Sequence, residues 1–155
     1  MDPYDTQAVR KIWQRVKASQ EELLSAMLTA EIRSRDSYER LSRIYPPFRK
    51  ALARMAEEEA RHVKELLELY ESLYGPYNPT EKDSRKTYPS LRRAIEDRHA
   101  AEEDAAQSYQ KLACHFAAYR ELFEALAKEE QHHTQQLKAL LKQLPDHPTP
   151  SQGKK

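Results

Sequence analysis

Two short stretches of this 155-residue chain place a histidine three residues after a glutamate, "EEARH" at 58–62 and "EEQHH" at 129–133. Helical spacing puts Glu59 and His62 on one seam with Leu52, Met55, Leu66, Leu69 and Leu73. Glu130 and His133 share theirs with Phe123, Leu126, Leu137, Leu140 and Leu144. Two further seams carry one carboxylate each: Glu31 among Leu24, Leu28, Tyr38 and Tyr45, and Glu102 among Ile95, His99, Tyr109 and Phe116. An unpaired carboxylate in a core costs several kcal/mol, and a domain of this size has only about 5–15 kcal/mol of net stability. Two imidazoles cannot neutralise four carboxylates. Two divalent cations can, with His62 and His133 as neutral ligands, and a mixed carboxylate and imidazole set suits iron or manganese.

The constellation is built twice. A single offset of 71 residues carries Glu59 onto Glu130, His62 onto His133, Leu66 onto Leu137 and Leu69 onto Leu140. The same offset carries Glu31 onto Glu102, Tyr38 onto Tyr109 and Leu41 onto Leu112. A glutamate-rich chain could match one such pair by chance, but not two helices in each half without a gap.

The elements that must hold these residues are helices. Charged residues make up 33% and apolar residues 39%, with only 2 glycines, a mix that favours long helices over strands. The periodicity predicts a short first helix edged by Val9, Ile12, Trp13 and Val16, then a longer one from about residue 20 to 44. "YPP" at 45–47 stops that helix and starts the next, which "YGPYNP" ends. Helical pattern resumes near Ser90, weakens over 114–118 and returns through Leu144. The polar connection over 76–89, at roughly 3.3 Å per residue, can run the length of a 25-residue helix. These links predict an all-α, antiparallel four-helix bundle with one long crossover between helices 2 and 3. Residues 1–144 form that single domain, with the N-terminal helix covering a bundle end or a partner subunit. The proline-rich tail, 145–155, is expected to be disordered.

Composition excludes several classes. A formal net charge of +1 gives no reason to expect a nucleic-acid or membrane partner, and no apolar run approaches the ~20 residues of a membrane span. The N-terminus lacks the apolar core of a secretory signal. The one cysteine, Cys114, rules out an internal disulfide or a CxxC site and reads as a small buried apolar residue in a cytoplasmic protein.

Through "EIRSRDSY", "EEARH", "EEDAAQSY" and "EEQHH", spanning about residues 20–144, the chain resembles the ferritin-like dimetal-carboxylate superfamily, and within it the helical domain of rubrerythrins. The resemblance implies bridging roles for Glu59 and Glu130, terminal ligation by Glu31 and Glu102, and one metal capped by each of His62 and His133. Tyr38 and Tyr109 would stand beside the ligands. It implies two iron ions, with manganese as the alternative, and reduction of hydrogen peroxide or dioxygen by a diferrous pair. The competing readings are an iron-storage ferroxidase, a manganese catalase-like enzyme and a metal-free bundle. One cysteine cannot build the rubredoxin module that rubrerythrins usually carry, so electrons would come from an external rubredoxin-type donor. A homodimer is the expected assembly. Ala105 stands where rubrerythrins carry a further third-helix glutamate, and His99 lies one turn earlier. Glu58, Glu103, Glu129 and His132 are expected to be exposed neighbours of the ligands.

Overall fold

The computed structural model describes residues 6–79 and 87–145. Four helices run in sequence: α1 (Thr6–Ile44), α2 (Arg49–Tyr74), α3 (Leu91–His115) and α4 (Arg120–Gln143). Single 3-10 turns, Pro46–Phe48 and Ala117–Tyr119, join α1 to α2 and α3 to α4. Pro46 and Pro47 force the first reversal, since proline offers no N–H to continue α1 yet suits the start of a helical turn. Gly75, at φ 88°, closes α2 in a conformation that a side chain would disfavour. Ser90 opens α3 by accepting the Arg93 N–H at 3.2 Å.

The expected all-α bundle, with its crossover between α2 and α3, is the architecture observed. The crossover's centre, residues 80–86, and the tail from 146 lie outside the described residues. The separate N-terminal helix is corrected. "KASQEE" at 17–22 contains neither glycine nor proline, so nothing breaks the backbone and α1 is continuous over 39 residues. Being longer than the 26-residue α2, α1 overshoots the bundle. Its first turns therefore cover no part of the described chain. Trp13 is 68% exposed, and Val9, Ile12 and Val16 are exposed with it. Cys114 is also exposed rather than buried, because Leu112 and Ala113 take the inward positions beside it. No helix among the described residues is long and apolar enough to cross a membrane.

α1 packs along α2 and α3 along α4, making two hairpins, while α1 and α3 meet more sparsely. The core lies in two apolar clusters. One holds Leu24, Leu28, Leu66, Tyr109, Phe123 and Leu126; the other holds Tyr38, Leu52, Met55, Ile95 and Leu137. The polar residues of the four seams belong to neither cluster.

Candidate metal centre

Every ligand expected from the sequence is buried. Glu59, His62 and Glu130 have no exposed surface, and Glu31, Glu102 and His133 have at most 2%. Their neighbours confirm the register, for His132 faces solvent and Glu103 is 56% exposed. Two groups that could each hold a metal ion form, the candidate ligand groups: Glu31, Glu59, His62 and Glu130, and Glu59, Glu102, Glu130 and His133. Within each, the donor atoms lie within 4.8 Å of one another. Glu59 and Glu130 belong to both groups, while each histidine and each remaining glutamate belongs to one.

The histidines turn Nδ1 inward. His62 Nδ1 lies 2.9 Å from Glu130, 3.1 Å from Glu59 and 3.5 Å from Glu31. His133 Nδ1 lies 3.1 Å from Glu130, 3.3 Å from Glu59 and 3.9 Å from Glu102. One ring N–H serves one acceptor well, so proximity exceeds hydrogen bonding here. Glu31 Oε2, Glu59 Oε1 and Glu130 Oε1 are buried and accept no hydrogen bond. Orphaned acceptors around two imidazole nitrogens are what a cation pair would satisfy, and oxygen with imidazole nitrogen is a donor set for iron or manganese. The residues fit the dimetal group.

Protons substitute for cations in the protein alone. Burial pushes the Glu59 carboxyl up, reinforced by Glu31, to about 10. Burial and Glu102 likewise push Glu130 up to about 8. Burial works against charge on Glu102 too, but the Tyr38 hydrogen bond and the nearness of Glu130 and His133 prevail and hold it near 2. Glu31 is lowered in the same way by Glu59, His62 and Tyr109, against its burial. For His62 and His133 burial opposes the charged ring, yet the surrounding carboxylates raise both well above the ordinary imidazole value. Two protonated and two ionised carboxyls beside two imidazolium rings leave the cluster close to neutral.

The outer hydrogen bonds cross between hairpins. Tyr38 Oη donates to Glu102, and Tyr109 Oη donates to Glu31 at 2.7 Å. His62 Nε2 meets Glu129 at 2.5 Å, and His133 Nε2 meets Glu58 at 2.6 Å. Arg61 in turn donates to Glu129 at 2.7 Å, and Arg54 pairs with Glu58 at 3.4 Å. Glu58 and Glu129, expected to be merely exposed neighbours, thus hold the two buried histidine rings in orientation. Their exposure of 28% and 38% is partial. The signal that would have found them is their own repetition at the 71-residue offset. His99 stays outside both ligand groups and pairs loosely with Glu103 at 3.7 Å.

No curated protein matches this chain. Solved structures do. The bacterioferritin of Desulfovibrio desulfuricans, whose diiron site was observed in different catalytic states, superposes with a TM-score of 0.71 at 20% identity, over 85% of each chain. A Rhodobacter capsulatus bacterioferritin gives 0.69 at 22% identity, covering 81% of this chain and 85% of that one. A ferritin-like, diiron-carboxylate protein from Bacillus anthracis str. Ames gives 0.69 at 20% identity, over 81% and 97%. At such identities the likeness establishes the fold, which is ferritin-like. The rubrerythrin family profile matches residues 22–141, the stretch that holds all six candidate ligand residues and both tyrosines. The chain belongs to the rubrerythrin family.

Proposed function

We propose that this protein is a di-iron oxidoreductase that reduces hydrogen peroxide or dioxygen. The observation carrying the reading is the pair of ligand groups that share Glu59 and Glu130 around buried carboxylate oxygens with no hydrogen bond. When bound, two ferrous ions supply two electrons, which with two protons convert hydrogen peroxide to two water molecules.

The chain's own residues set the conditions for that chemistry. Glu59 and Glu130 lie between the two ligand groups and fix their spacing. Glu31 with His62, and Glu102 with His133, complete one group each. Glu129 and Glu58 accept the Nε2 protons of His62 and His133, so that Nδ1 is the ring nitrogen that faces inward and would give up its proton to a metal ion. Burial and nearby carboxylates raise both tyrosine hydroxyls well above their usual value, so Tyr38 and Tyr109 keep their protons and donate them to Glu102 and Glu31. Those terminal carboxyls stay anionic and oriented. The apolar clusters on either side exclude bulk water. Electrons for repeated turnover come from a donor site outside these 155 residues, whose single cysteine cannot hold a rubredoxin-type iron. A homodimer is the proposed assembly, supported by the bare apolar stripe at the start of α1.

The test is metal analysis followed by single turnover. Protein loaded anaerobically with ferrous iron should hold about two ions per chain, and one equivalent of hydrogen peroxide should oxidise both. Rapid oxidation by dioxygen with a sluggish peroxide reaction would make it a ferroxidase. Oxygen release from peroxide without reductant, in manganese-loaded protein, would make it catalase-like. A chain that takes up no metal, and melts at the same temperature with and without chelator, would end the proposal.

A further inference from the structure

The bundle's two open sides are built differently. Between α2 and α4 the ligand histidines are bridged outward by Glu58 and Glu129, which Arg54 and Arg61 pair in turn. Between α1 and α3 there is instead a groove with a cavity volume of 720 Å³. Small side chains such as Ala30, Ala101, Ala105 and Ser108 share its walls with charged ones, Arg40 and Asp104 among them. Glu31, a ligand in one metal group, lines it, and so does Arg98.

Arg98 is where the repeat fails. The 71-residue offset pairs it with Met27, which is 4% exposed and packs in the apolar cluster that contains Tyr109. Beside Tyr38 the same position carries a cation, its guanidinium carbon 5.6 Å from the ring centroid. Arg98 Nη1 donates to Ser34 Oγ at 2.6 Å. Arg98 Nε and Ser37 Oγ, both groove-lining, are buried and meet no hydrogen-bond partner on the protein. Ser37 sits one turn beyond Ser34, so these polar groups stand together on the Tyr38 side of the site. On the Tyr109 side the offset keeps one hydroxyl, Ser108 for Ser37, but puts Ala105 in place of Ser34 and Met27 in place of Arg98.

We propose that the groove between α1 and α3 is the port by which hydrogen peroxide reaches the metal pair, with Arg98, Ser34 and Ser37 binding it at the inner end. The inference rests on the di-iron reading and names its substrate. Peroxide both donates and accepts hydrogen bonds, so a serine hydroxyl and a guanidinium N–H without partners can hold it. Dioxygen gains almost nothing from either group. The port also makes the two halves of a repeated site unequal, since only one tyrosine has a cation over its ring.

Two variants test this. Arg98→Met copies the opposite half, and Ala105→Leu fills the groove wall; Ser108→Leu is a second filling should Ala105→Leu lose its iron. Each is checked first for iron content and melting temperature. Stopped-flow oxidation of the diferrous protein then gives rate constants for peroxide and dioxygen. A separate readout is the rate at which azide changes the absorption spectrum of the diferric protein. Arg98→Met should lower the ratio of peroxide to dioxygen rate constants at least tenfold. The filled groove should slow azide entry at least tenfold. An unchanged ratio in Arg98→Met overturns the peroxide site, and an unchanged azide rate in both filled variants overturns the port. If wild-type protein binds two irons but reacts with neither oxidant, the oxidoreductase reading fails while the azide rates still decide the port. A chain that binds no iron defeats both at the first step.

Discussion

A carboxylate shared between two ligand groups and one that belongs to a single group should fail differently. Glu59→Ala removes a donor from both groups and should leave well under one metal per chain. Glu31→Ala strips only the group containing His62 and should leave about one, on the Glu102 and His133 side. Metal analysis after desalting separates these outcomes. Glu129→Ala leaves every ligand in place but frees His62 Nε2, and loss of such a partner typically weakens metal binding about 10- to 100-fold. Competition with a coloured chelator measures that loss. Protonation gives a third expectation. With Glu59 and Glu130 pushed up to about 10 and 8, and both histidines raised, the metal-free cluster holds about four protons at pH 7 that two metal ions must displace. Calorimetry in buffers of different ionisation enthalpy should detect their release, and apparent affinity should rise with pH. The metal-free fold responds in the opposite sense. Groups with raised folded values contribute stability that is complete below their unfolded values and is lost as pH climbs through the folded ones. Glu102, held near 2, contributes in full above about 4.5 and loses that contribution as pH falls from there toward 2. Melting temperature without metal should therefore peak near pH 5 and fall toward pH 9.

At the scale of helices, the buried polar positions were legible because they interrupt apolar seams at three- and four-residue spacing. The buried class of Glu59 beside half-buried Glu58, and of His133 beside exposed His132, bears out that register. What escaped the sequence has identifiable causes. Glu58 and Glu129 lie one position off the seam, and a charged residue there looks the same whether it meets water or a histidine on another hairpin. Cys114 is small enough for either face, and only the final turn of α3 decides which it takes. The break expected after the first helix rested on a lapse in apolar periodicity, yet periodicity reports burial, and α1 continues where nothing packs against it. Seams also predict energetics. Phe123 has no exposed surface and contacts Tyr109 and Phe116, so Phe123→Ala should cost about 3–5 kcal/mol in denaturant unfolding. The exposed Val9→Ala should change monomer stability by less than about 0.5 kcal/mol.

For the whole molecule, two apolar clusters separated by a charged layer would couple the proposed metal binding to folding. The layer is neutral only when protons or metal ions complete it, so free metal at a hundred times its dissociation constant should add about 2.7 kcal/mol of stability. Chelator should reverse that rise in melting temperature, and Glu59→Ala should abolish it. The doubled ligand set was readable from a repeat, whereas the groove and Arg98 were not, because there the two halves differ and the offset gives no warning. The overshooting start of α1 has its own consequence. Trp13 is the chain's sole indole and stands roughly 27 Å along the helix axis from Glu31, at 1.5 Å per residue. Its emission will therefore report what touches the free end of the rod. A shift to the blue as protein concentration increases would reveal a second copy seated there, and red emission at every concentration would show that end bare.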